Sequence, residues 1–153
     1  MAQAAHAGSV STFSRPTVVA GSPAYQAYRI LQLAFVVAPV IAGADKFFHL
    51  LVNWDMYLAP IVDRILGGNG PTFMLAVGVI EIVAGIGVAL KPKIFAYVVA
   101  AWLTGIVINL LLAQTFYDIA LRDVGLALGA LALGRLSHEF DKTGLLPKGG
   151  SAL

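Results

Sequence analysis

Four long apolar runs, at about 28–51, 71–90, 94–114 and 117–136, are separated by short polar breaks along this chain. About twenty apolar residues at a rise of about 1.5 Å each match a hydrocarbon core of about 30 Å, so each run reads as a membrane-crossing helix. The pattern predicts an all-α fold, an integral membrane four-helix bundle. Lys91-Pro92-Lys93 is a basic turn in which proline marks the boundary between the second and third helices. Pro39, inside the first run, is expected to kink it, which a membrane bundle tolerates.

The break from Val52 to Gly70 is more than a linker. Between Tyr57 and Leu66, Leu58, Ile61, Val62 and Ile65 recur at helical spacing while Asp63 and Arg64 fall elsewhere. A short amphipathic helix lying on the membrane surface in the first outer loop is the expectation, with Trp54 and Tyr57 at headgroup level. Residues 1–24 are rich in Ala, Ser, Gly and Thr without the apolar segment of a cleaved leader, and read as a retained polar tail. Residues 25–136 then form the transmembrane domain and 137–153 a polar C-terminal tail.

Composition strengthens the membrane reading. The chain is 59% hydrophobic and 12% charged, about half the charge of a soluble domain. Its mean hydropathy is +0.84. A net charge of +2, scattered along the chain, gives no basis for nucleic-acid binding. The absence of cysteine excludes disulfides, thiol redox chemistry and a cysteine nucleophile in this chain. In a four-span arrangement seven Lys and Arg side chains (15, 29, 91, 93, 135, 142, 148) fall on one side and three (46, 64, 122) on the other. Basic residues concentrate on the cytoplasmic side, so both termini are expected inside.

The candidate chemistry centres on Glu81, an acid in the middle of the second run. A charged side chain at that depth costs several kcal/mol facing lipid and is expected to face protein or a polar cavity. Gly78 and Gly85 share its face, which is therefore also a helix-packing face. Two readings stay open: a proton or ligand site, or an acid that holds two helices in register. On the fourth helix Asp118 and Arg122 are four apart, Asp123 lies one step round, and Gly125 and Gly129 continue the face of Arg122. Depth along antiparallel helices makes Arg122 the expected partner of Glu81, with Asn109 of the third helix at a similar level. Asp45, Lys46 and His49, near the outer end of the first helix, are expected to join Asp118, Arg122 and Asp123 in one polar network. Trp102, Gly105 and Asn109 share a face of the third helix, where a packed aromatic is a more ordinary role than a quinone platform.

No residue acquires a catalytic role from these patterns. His6, His49 and His138 fall in a tail and at opposite ends of the bundle, too far apart to hold a haem or a metal ion together. Phosphate-loop, zinc-protease, nucleophile-elbow and dinucleotide motifs are absent from the sequence. The expectation is no covalent or metal-held cofactor, with a quinone or a lipid as the open choice of small-molecule ligand.

Arg29 followed by Gly43-Ala44-Asp45-Lys46, the second-helix pattern Gly78, Glu81 and Gly85, and a charged fourth-helix start continuing as GLALGALALGRL together resemble the DoxX family of small four-helix membrane proteins. The resemblance covers about residues 26–136 and implies a respiratory or quinone-linked role for a membrane subunit; the expected location is a bacterial cytoplasmic membrane. Three functional readings follow. The first is an accessory or structural subunit of a larger respiratory, quinone-linked or energy-transducing complex, with lipids and protein subunits as partners. The second is a quinone-binding oxidoreductase subunit with a buried Glu/Arg site. The third is a small transporter subunit.

Overall fold

The computed structural model describes residues 21–141. Within them the chain is helical, without strands: α1 (Pro23–Phe48), a 3-10 turn (Trp54–Tyr57), α2 (Pro60–Ile65), α3 (Gly70–Leu90), α4 (Pro92–Ala113) and α5 (Tyr117–Phe140). The remainder of the two expected polar tails, and with it His6, lies outside the described residues.

α1, α3 and α4 are long and apolar enough to cross a membrane, which points to a membrane protein. α5 is also long, with 24 residues, but carries Asp118, Arg122 and Asp123 near its start and Arg135 and Glu139 near its end. Large apolar side chains stand exposed on the outer faces of the long helices, among them Ile30, Leu90, Ile108 and Leu128. Such faces are consistent with contact to lipid.

Local chemistry places the helix ends. α1 starts at Pro23, five residues before the expected run, because the Ser22 side chain accepts the Tyr25 N–H and Pro23 occupies the first turn. It continues as helix through Pro39 and stops where His49 takes a left-handed conformation (φ 51°). α5 extends to Phe140 instead of stopping at 136, which moves residues 137–140 out of the expected tail and into the bundle. Ser137 is buried without penalty because its hydroxyl donates to the Leu133 carbonyl at 2.7 Å. Phe140 closes that end by packing against Tyr25 and Tyr28, each with ring centroids 5.6 Å away.

The helices associate as two close pairs, α1 with α3 and α4 with α5. In the first pair the backbones approach at glycine: a methyl group on Gly43 would stand 2.5 Å from the Gly78 carbonyl oxygen, and one on Gly85 2.8 Å from that of Val36. In the second, Gly134 makes room for the ring of Tyr97. The pairs join at the end of the bundle that carries the start of α1 and the end of α5, through Phe35, Ala84, Val88, Ala100, Ala130 and Leu133 among others. The small side chains at this end let four helices meet in a filled core. Toward the opposite end, which carries the 49–69 connection, the two pairs enclose a cavity.

Candidate functional site

The cavity measures about 970 Å³ and is walled by all four long helices and by the connection between α1 and α3. Its lining is mainly aliphatic and aromatic, including Trp54, Tyr57, Phe73 and Trp102, with polar groups in two places. On one wall stand Lys46 and Glu81; on the other, Arg122 and Asp123.

Lys46 Nζ lies 2.6 Å from Glu81 Oε2, with the two side chains only 3% and 10% exposed. Glu81 is thus paired by Lys46 of α1. The close glycine contact explains why. Lys46 follows Gly43 by three residues and Glu81 follows Gly78 by three, so each lies about 4.5 Å along its own antiparallel helix from the crossing point. Side chains lean toward the N-terminus of their helix, so these two converge. Lys46 has a second contact: its ammonium sits 3.9 Å from the centre of the Trp54 ring.

Asp45 holds that indole in place. It accepts the Trp54 Nε1–H at 2.7 Å and the backbone N–H groups of Leu50 and Leu51 at 2.9 and 3.0 Å. These bonds fold the chain back over the cavity immediately after α1 ends. Asn109 of α4 secures the other part of the connection, accepting the Ala59 N–H at 3.0 Å and donating to the Tyr57 carbonyl at 2.7 Å. The loop residues are therefore fastened from opposite sides, by Asp45 and by Asn109. α2 follows directly, and Asp63 within it accepts the N–H of Gly70 at the start of α3.

The polar network expected from sequence takes a different form. Arg122 does not reach Glu81; its side chain is 66% exposed and pairs with its own neighbour Asp123 at 3.3 Å. α5 packs chiefly on α4 and more lightly on α1, which puts Arg122 across the cavity from α3. Asn109 serves as a loop anchor, Asp118 and His49 are exposed, and the single cluster of Asp45, Lys46 and His49 with Asp118, Arg122 and Asp123 does not form. Among the glycines, Gly78 and Gly85 lie at close helix contacts and Gly129 lies against the Phe35 ring. Gly125 has nothing within 4 Å of where a side chain would start, so among the described residues it is not a packing position.

The indole N–H of Trp102 is buried and turned toward Glu81, without closing a hydrogen bond of good geometry to any acceptor among the described residues. Sequence reasoning placed Trp102 on a face with Gly105 and Asn109, which is correct helical geometry, but could not show that its nitrogen would turn toward Glu81. Also among the described residues, no group of three or more His, Asp or Glu side chains is placed to hold a metal ion.

Chemically, the wall offers a lysine with two N–H groups beyond the one engaged by Glu81, an indole N–H and flat aromatic surfaces. That set suits a ligand with an acceptor oxygen on an apolar, planar head. Comparison with protein-family models, with curated proteins and with solved structures finds no match to this chain.

Proposed function

We propose that this chain is a four-span integral membrane protein that binds a quinone-class ligand between its helix pairs, as a subunit of a respiratory or other quinone-linked membrane complex. The observation that carries this reading is the Lys46–Glu81 pair, with the Trp102 N–H turned toward Glu81, on the wall of a cavity of about 970 Å³. Glu81 holds that N–H only loosely, and a quinone carbonyl that accepts from it completes its hydrogen bonding. The mainly apolar walls exclude strongly solvated ligands while accepting a flat ring. Lys46 supplies a second donor to the same oxygen or to its neighbour, and Glu81 keeps that lysine oriented.

The resemblance to the DoxX family supports the quinone-linked context, and the proposed location is a bacterial cytoplasmic membrane. The seven-to-three distribution of basic residues supports α5 as the fourth span, with both termini inside and the cavity toward the outer face. In that arrangement α2 and the 3-10 turn lie at the outer surface.

Purification from native membrane in mild detergent, followed by solvent extraction and mass spectrometry, tests the proposal. A quinone should accompany the native protein, and retention should fall about tenfold in Trp102→Phe, which keeps the ring and removes the donor. Native protein that carries no quinone and shows no saturable binding of added benzoquinone would refute the binding site. A lone chain with no co-purifying subunit would refute the complex.

A further inference from the structure

Val98, Ala101, Gly105, Ile108 and Leu112 recur along α4 at steps of three and four. All five line the cavity, and all five are exposed, whereas Met74, Val77 and Leu110 of the same lining are buried. A stripe with both properties is the edge of an opening, and here it runs about 21 Å along a helix apolar enough to cross a membrane. The cavity is therefore open on its flank, while Asp45 and Asn109 hold the 50–59 connection against its loop end.

We infer that the ligand enters this cavity sideways from the bilayer and carries a hydrocarbon tail that leaves past Gly105 along the exposed stripe of α4. This rests on the quinone-binding reading above and specifies its ligand as a long-tailed, membrane-dissolved quinone. The head lies where the polar groups are, at Lys46 and Trp102. The tail occupies the stripe, whose side chains offer only hydrocarbon. Gly105 is the notch in that edge: nothing stands within 4 Å of where its side chain would begin, so the space beside it belongs to whatever passes through the opening.

A benzoquinone carrying a photoreactive diazirine at the end of a decyl chain tests this in the full-length protein reconstituted in lipid nanodiscs, with cross-linked peptides mapped by mass spectrometry. Tail-less benzoquinone serves as competitor and, in a separate titration, as a direct probe of head binding. The expected result is labelling on the α4 stripe that the competitor abolishes. In Gly105→Phe, whose Cβ would meet no atom within 4 Å and whose ring would stand in the notch, labelling should fall about tenfold while tail-less quinone binds as before. Gly105→Ala, too small to fill the notch, should label as the native protein does.

Competitor-sensitive labelling located on the 50–62 connection would overturn side entry and leave the quinone site standing. The same conclusion follows if Gly105→Phe leaves labelling unchanged. Absence of any competitor-sensitive labelling, together with no binding of the tail-less quinone, would overturn both readings.

Discussion

Removing either member of the Lys46–Glu81 pair should destabilise the bundle far more than removing both. With the side chains 3% and 10% exposed, the pair lies in the buried regime, where deleting one partner strands a charge at a cost of about 3–5 kcal/mol. A solvated pair would be worth about 0–1 kcal/mol. Lys46→Met should be the worse single change, since it also removes the ammonium from the Trp54 ring, an interaction of about 0.5–2 kcal/mol. Replacing both residues by methionine removes both desolvated charges and keeps similar volume, so the double variant should lie within about 2 kcal/mol of the native protein. The assay is equilibrium unfolding in mixed micelles at increasing dodecyl sulfate fraction, followed by far-ultraviolet circular dichroism, for the native protein, both single variants and the double. A coupling energy of about 3 kcal/mol is expected. Additive effects, with each single change below about 1 kcal/mol, would refute the buried pair as the link between α1 and α3.

The remaining predictions concern the loop and the glycine contacts. Asp45→Asn should loosen the segment after α1 by discharging the acceptor of the Trp54 and Leu50–Leu51 N–H groups, with faster hydrogen exchange across residues 50–54 as the readout. Asn109→Leu should speed exchange at the Ala59 amide and lower stability by about 1–3 kcal/mol, because both a backbone N–H and a carbonyl lose their partner. Gly78→Leu should disrupt the bundle, since even a methyl group there would meet the Gly43 carbonyl oxygen at 2.7 Å, whereas Gly125→Ala, with nothing within 4 Å, should be neutral or stabilise by up to about 1 kcal/mol. Thermal melting of both glycine variants in the same detergent separates these outcomes.

Position in the helices was readable from sequence where the cause is local. Pro92 and Pro71 stand in the first turns of α4 and α3, and the apolar lengths between breaks mark three helices long enough to cross a membrane. The misplaced ends have local causes too: the Ser22 cap was there to be recognised, and Phe140 recurs with Leu133 and Ser137 on one face of α5. What escaped reading was which faces meet. Gly78 and Gly125 look alike as small residues on apolar helices, yet one touches a carbonyl oxygen of α1 and the other faces open space.

The candidate site divides along the same line. That Glu81 needed shelter followed from its depth in an apolar run, because the cost of a charge in hydrocarbon does not depend on the neighbour that relieves it. The identity of that neighbour depended on the packing of distant segments. Arg122 matched in depth, but depth is one coordinate only, and α5 stands on the wrong side of the cavity. Lys46 reaches Glu81 because Gly43 and Gly78 bring two backbones together and the lean of the side chains does the rest. The sequence alone therefore determined a membrane composition, the helix lengths and an acid requiring a partner, all properties set by hydrophobicity and by neighbours within a few residues. Only the tertiary structure decided that Lys46 is the partner, that the Trp102 N–H turns toward Glu81, and that a cavity lies between the helix pairs, since each depends on how helices far apart in the chain are rotated against one another.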